Sequence, residues 1–226
     1  MVDRKLIVLE GLDGSGKTTQ TSLLHERLIE SGKPVRQVKL PNYADPSSTL
    51  VKMYLGGDFG DDPDAVNAYA ASTFYAVDRY ASFQRYWKED YERGVWLLAD
   101  RYTTSNAIYQ MAKLPKTEWK SYLEWLEDFE YNKIGIPSPD FVMFLDMPIE
   151  VSQRLMSERY KGTENDKDVH EKNVRYLSDC REAAMFLCDY WNWVKIPCAE
   201  NGEPFTPEEI SDKVFESASE SLGLRR

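Results

Sequence analysis

Gly11-Leu12-Asp13-Gly14-Ser15-Gly16-Lys17-Thr18 lies directly behind the apolar run Leu6-Ile7-Val8-Leu9 and leads into an amphipathic pattern over residues 18–29. The stretch fits G-x-x-x-x-G-K-[ST], in which glycines let backbone N–H groups converge on phosphate oxygens. A helix that begins near Lys17 adds the positive end of its dipole. The spacing carries Lys17 to the β and γ phosphates of a nucleotide and offers the Thr18 hydroxyl to Mg²⁺. Gly11, Asp13, Gly14, Ser15, Gly16, Lys17, Thr18 and Thr19 are therefore the candidate phosphate-binding residues. From ordinary residue usage a chance match in a chain this long is roughly one in a hundred. The strand before the loop and the helix after it are the context the motif requires.

Outward from the loop, short apolar runs alternate with longer helical patterns. Residues 5–9, 35–40, 95–99, Phe141–Asp146 and Val194–Pro197 read as strands. Helices are expected over 18–29, 103–112, 117–133, 149–156, 170–190 and Pro207–Leu222. Residues 62–93 read as one long helix or two broken ones, with Asp62 as cap, Pro63 at the first helical position and Gly94 as the stop. Strands alternating with helices predict an α/β fold: a five-stranded, mostly parallel sheet covered on both faces. Ligands then sit at the carboxyl ends of the strands. A charged loop, 157–168, falls between two of the helices.

The chain has 226 residues, compatible with a single domain over 1–226. Lys and Arg number 28 against 38 Asp and Glu, for a net charge of −10. That balance argues against a general nucleic-acid or anionic-membrane binder, though not against an anionic ligand in a local basic pocket. No apolar run is long enough to span a bilayer. Glu10 cuts the run after Arg4 and Lys5 too short for a signal peptide's apolar core, so a cytoplasmic protein is expected. Cys180, Cys188 and Cys198 form no C-x-x-C pair, which signals neither a disulfide framework nor a zinc site. Two histidines, His25 and His170, make a histidine-rich metal centre or a Ser-His-Asp enzyme a poor fit.

Phosphate binding alone does not fix the reaction. A GTPase needs Asn-Lys-x-Asp, and the nearest string, Asn132-Lys133-Ile134-Gly135, lacks the aspartate. After the apolar Trp96-Leu97-Leu98-Ala99 comes Asp100-Arg101-Tyr102. Asp100, at a strand's carboxyl end, is placed to hold Mg²⁺ directly or through water. Arg101 offers a planar fork to a second phosphate. A metal site beside a second phosphate site suggests phosphoryl transfer to a phosphorylated acceptor.

Taken in order, Glu10-Gly11-Leu12-Asp13-Gly14-Ser15-Gly16-Lys17-Thr18-Thr19-Gln20, Phe74-Tyr75-Ala76-Val77-Asp78-Arg79, and Asp100-Arg101-Tyr102 with Ser105, Asn106 and Tyr109 resemble the thymidylate kinase family of P-loop nucleoside monophosphate kinases. The resemblance runs from Lys5 to the last helix. It implies the three-layer P-loop kinase fold with a mobile lid, ATP as co-substrate, Mg²⁺ as cofactor, dTMP as acceptor and a homodimer. It places Asp13 on the acceptor's 3′-hydroxyl or phosphate region. Tyr75 stacks on thymine, and Arg79, one turn on along the same helix face, donates to the base carbonyl. Ser105 and Asn106 approach the thymine edge. Tyr109 lies beneath the ribose and disfavours a 2′-hydroxyl. The lid is 157–168. Because Gly14 stands where some members carry a loop arginine, the resemblance assigns the catalytic cation to Arg159, beside Lys17 and Asp100. Many members also have an arginine after the second strand; Lys39-Leu40-Pro41-Asn42-Tyr43 has none. Either Lys39, Asn42 or Tyr43 substitutes in part, or Arg101 acts alone. The rival readings are a kinase for another deoxynucleotide or deoxynucleoside, and a non-catalytic nucleotide-binding regulator.

Overall fold

The computed structural model describes residues 3–159 and 174–224. Five parallel strands, β1 (Leu6–Gly11), β2 (Val35–Lys39), β3 (Trp96–Asp100), β4 (Phe141–Asp146) and β5 (Val194–Pro197), form one sheet in the order β2-β3-β1-β4-β5. The three central strands are almost continuously apolar because both faces are covered. Side chains alternate across the pleat. Leu6, Val8, Leu97, Ala99, Val142 and Phe144 enter one core, and Ile7, Leu9, Trp96, Leu98, Met143 and Leu145 the other. The second core is closed by α1 (Lys17–Glu30) and, near the end of the chain, by α9 (Pro207–Leu222), through Leu24, Leu28, Ile210 and Val214. The first is closed by α3 (Ala68–Ser82), α5 (Thr103–Tyr109), α6 (Trp119–Glu127) and α8 (Val174–Tyr190), with Ile108, Tyr122, Leu177 and Leu187 inward. The three-layer α/β fold expected from the sequence is the one observed.

Strand register sets the site. Leu9 pairs with Asp100 and Lys39 with Asp100, so the carboxyl ends of β1, β2 and β3 finish level. The chain leaves all three on the same side of the sheet, where β1 is flanked by β3 and β4, the point at which an open α/β sheet holds ligand.

Local signals explain the boundaries. Helix α9 starts on a reciprocal capping box, Thr206 with Glu209 and Pro207 at the first position, and stops at Gly223 in the left-handed region. The long helical stretch departs from expectation. Asp62 caps only a 3-10 turn, Pro63–Ala65, and α3 starts later on the Asn67 side chain, which accepts from the Ala70 N–H. From Ala68 the chain then stays helical through a π segment, Phe83–Trp87, into α4 (Lys88–Glu92). The expected helix over 117–133 is α6 with a second π segment, Asp128–Ile134, closed by Gly135. Two elements lie outside the sequence reading: α2 (Thr49–Leu55), after a turn capped by Asp45, and a short hairpin of β6 (Ala199–Glu200) and β7 (Glu203–Pro204). Helix α7 (Ile149–Arg159) runs three residues beyond its expected end. Residues 160–168 of the expected lid and the first residues of the expected helix at 170 lie outside the described residues. No described helix is long and apolar enough to cross a membrane.

Candidate active site

A cleft of about 440 Å³ opens at the carboxyl ends of β1, β2 and β3. One side of it is the loop between β1 and α1. Gly16 caps α1 in the left-handed region (φ 85°), and Gly14 is left-handed too (φ 79°). A Cβ on Gly14 would also stand 2.9 Å from the Ser152 carbonyl and 2.9 Å from Met156 Cγ, both on α7. Neither the backbone nor the packing leaves room for a side chain there, so the absence of a loop arginine has a local steric reason. Lys17 is 8% exposed; its Nζ donates to the Leu12 carbonyl at 2.8 Å and lies 3.9 Å from Asp13 Oδ1. Burial, and then the charge of Arg101, lower its pKa from the ordinary 10.5 to about 8.

Thr18 Oγ1 donates to Asp100 Oδ2 at 2.8 Å. Two hard oxygens that close suit Mg²⁺, which holds few protein ligands and fills its octahedron with water and phosphate oxygens. Among the described residues no group of three or more His, Cys, Asp or Glu side chains could hold a metal ion.

The middle of the cleft belongs to Arg101. Its φ of 70° is uncommon for a residue with a side chain, and it swings the guanidinium back over the end of the sheet. There it pairs with Asp13 Oδ1, while the Tyr109 hydroxyl donates to Asp13 Oδ2 at 3.0 Å. Burial holds the Tyr109 phenol well above its ordinary pKa, so it remains a donor. Asp13 is thus held by one group from the β3–α5 connection, Arg101, and one from the end of α5, Tyr109.

Glu10 was not among the expected site residues. It is fully buried at the end of β1, and its Oε1 accepts from Thr104 Oγ1 (2.6 Å), Ser105 Oγ (2.8 Å) and the Tyr102 N–H (3.3 Å). This carboxylate ties the turn carrying Arg101 to the root of the phosphate loop. The signal was an acidic residue inside an apolar strand, a placement that demands partners.

The opposite side is built by α3 and α5. Tyr75 is half-buried on the cleft wall, edge-on to Tyr54. Arg79, one turn further along α3, is 3% exposed and held in a two-pronged ion pair, Nε and Nη2 each 2.8 Å from Glu130. Burial works against the Arg79 charge and Glu130 outweighs it, so its pKa is raised. Asn106 donates from Nδ2 to the Ser72 carbonyl (3.2 Å) and to Glu130 Oε1 (3.1 Å).

Of the expected residues, Asp13, Gly14, Gly16, Lys17, Thr18, Thr19, Tyr75, Arg79, Asp100, Arg101, Ser105, Asn106 and Tyr109 all line this cleft. Gly11 and Ser15 do not: both are buried beneath the loop, where a Cβ on Gly11 would come within 2.4 Å of the Ser15 hydroxyl. They shape the loop from below. Arg159 ends α7, and its side chain lies outside the described residues. Of the candidates after β2, Lys39 and Tyr43 reach the cleft. Asn42 is not among the lining residues; its backbone N–H donates to Asp78 Oδ2 at 2.9 Å.

Known proteins similar to this chain share its family and fold. A thymidylate kinase from Mycobacterium tuberculosis (strain H37Rv) is 31% identical over 159 residues, 70% of this chain and 71% of that protein. A protein named probable thymidylate kinase from Thermococcus gammatolerans is 33% identical over 198 residues, 86% of this chain and 88% of that one. The solved thymidylate kinase of Candida albicans, at 20% identity, superposes with a TM-score of 0.69 over 99% of this chain and 94% of its own, which establishes the shared fold. The model of the thymidylate kinase family matches residues 9–210, and the chain belongs to that family.

Proposed function

We propose that the cleft is the active site of a phosphotransferase that converts dTMP to dTDP with ATP and Mg²⁺, and that each half of it has a separate task. The observation that carries this reading is the joint between the halves. Asp13 sits within the phosphate loop yet is held by Arg101 and Tyr109 from the acceptor side, so donor and acceptor pockets share one wall.

The loop N–H groups and Lys17 hold the phosphates of ATP, with Lys17 aimed at the β–γ bridge. Thr18 and Asp100 would hold Mg²⁺, which neutralises charge on the transferring phosphoryl group when bound. Lys39 and Arg101 converge from the ends of β2 and β3 and grip the acceptor phosphate, replacing the missing arginine. Tyr75 stacks on the base, Arg79 donates to its carbonyl, and Tyr109 supports the sugar. The acceptor phosphate is already an ionised nucleophile, so positioning and charge lower the barrier and no strong general base is needed. Arg159 is assigned the cation on the migrating group on the strength of the family alone. A cytoplasmic homodimer is the assembly this reading expects.

The test is a panel of nucleoside monophosphates and deoxynucleosides incubated with ATP and Mg²⁺, with ADP and product both quantified. Highest kcat/KM on dTMP is expected. Preference for another acceptor moves the chain to the rival kinase reading, and turnover of none makes it a nucleotide-binding regulator.

A further inference from the structure

We propose that Glu130 is the positioning residue that sets the order of donor and acceptor presented to the acceptor base, and through that order selects a thymine-type edge over a cytosine-type edge. The proposal rests on the dTMP reading above. Glu130 lies in the π-helical continuation of α6, a local distortion of the kind often found at functional sites, and it is fully buried. Its two carboxylate oxygens take three N–H groups: Arg79 Nε on Oε2, and Arg79 Nη2 with Asn106 Nδ2 on Oε1.

Each of those bonds leaves one group over. With Nε and one Nη2 proton held by Glu130, the N–H groups left on Arg79, which lines the cleft, are still donors only. Both Nδ2 protons of Asn106 are engaged, one by Glu130 and one by the Ser72 carbonyl. A reversed amide would set Oδ1 against two oxygens, so Glu130 and Ser72 force Oδ1 to be the free end. The cleft wall therefore offers a charged donor from Arg79 beside an acceptor from Asn106.

Thymine and uracil carry O4, an acceptor, next to N3–H, a donor, which meets that order at both points. Cytosine carries an amino donor and an acceptor N3, which opposes it at both. Only a carboxylate at 130 enforces the pattern. An amide there would set its N–H₂ against an Arg79 donor in either orientation: against Nε in place of Oε2, or against Nη2 and the Asn106 Nδ2 together in place of Oε1, where Asn106 would be driven to flip.

The experiment measures kcat/KM for dTMP, dUMP and dCMP with ATP and Mg²⁺ in the wild type, Glu130→Gln and Glu130→Asp. In Glu130→Gln the dTMP-to-dCMP ratio is expected to fall at least tenfold. The dTMP-to-dUMP ratio should not move, because those bases share the edge, and KM for ATP should hold. Glu130→Asp, which keeps the charge but loses a methylene, should retain more of the ratio than Glu130→Gln, which keeps the volume. A purely structural role predicts the reverse order, or an equal loss on all three acceptors, and either result overturns the proposal. If neither variant folds, the wild type still decides with N3-methyl-dTMP. At least tenfold poorer use than of dTMP is expected, and equal use overturns the assigned acceptor. A wild type active on dTMP with unshifted ratios in the variants removes only the role of Glu130, whereas a wild type inactive on dTMP removes the functional reading and this proposal with it.

Discussion

The two sides of the cleft are built by different physics. The donor side is a contiguous run whose geometry comes from the backbone: left-handed glycines at 14 and 16 and a helix N-terminus at Lys17. The acceptor side is assembled from side chains far apart in sequence, Arg79 on α3 meeting Glu130 beyond α6, 51 residues on. A backbone cradle recognises phosphate whatever nucleoside bears it. A side-chain cage encodes a particular hydrogen-bond pattern. Damage to the first should depress turnover with every acceptor, and damage to the second should change which acceptor is used.

The sharpest break in that comparison is Lys17→Ala. Loss of a buried cation aimed at the β–γ bridge should lower kcat on the order of 10²–10³-fold, equally for every acceptor. The fold should survive. Burial already lowers the pKa of Lys17 to about 8, so the charge is held at a cost and its removal should leave the melting temperature unchanged or raised. A parallel loss of helical signal and activity would mean the loop is structural.

Tyr109→Phe separates ring from hydroxyl on the acceptor side. The phenylalanine keeps the ring on the cleft wall but drops the bond to Asp13. A hydrogen bond to a charged group is worth about 1.5–3 kcal/mol, so kcat/KM for dTMP should fall roughly 10- to 100-fold. Selectivity for deoxyribose over ribose should persist if, as proposed, the ring is what excludes a 2′-hydroxyl. Loss of that selectivity would move the discrimination to the hydroxyl.

The same contrast explains what could be read from the chain. The phosphate loop, all five strands of the sheet and the bounds Pro207–Leu222 were legible because each is encoded locally: a glycine spacing, apolar runs of buried strands, a capping box. The partners of Arg79 were not, because nothing near Arg79 points to Glu130; only the tertiary fold brings them together. Glu10 was half-legible, as a charge inside an apolar strand whose partners, Thr104 and Ser105, lie over 90 residues away. Two omissions had local signals after all. Asp45-Pro46 is a helix-start signature ahead of α2, and Asn201-Gly202, both at positive φ, is a hairpin turn signature between β6 and β7. The helix over 117–133 ends in a π segment, closed by the Gly135 N–H on the Glu130 carbonyl, one residue off the α-helical register, and periodicity alone does not distinguish the two.

Gly14→Ala sharpens the donor side without touching charge. The left-handed φ and the 2.9 Å approach to Ser152 both penalise a Cβ, and a strained position of this type costs about 1–3 kcal/mol. Chemical denaturation should show that loss, with base preference unchanged. A variant as stable as the wild type would mean that α7 yields to the loop.

The smallest effect is a pH dependence of the donor side alone. Lys17 must be protonated to act on phosphate, and in the free enzyme its pKa is lowered from 10.5 to about 8, first by burial and then by Arg101. kcat/KM for ATP reports the free enzyme, so it should fall as pH rises through 8, with about a tenfold loss between pH 7 and 9 from a single proton. The limb in kcat should lie higher, since bound phosphates favour the charged form. Stability should move the opposite way. The unfolded chain binds this proton more tightly than the folded one, so the burial cost is fully present below about pH 8 and is relieved between 8 and 10.5. Activity lost while this site's contribution to stability grows cannot be unfolding. Lys17→Arg, whose guanidinium stays protonated throughout, should flatten the limb at a lower plateau. A limb that persists in Lys17→Arg would assign the titration to another group.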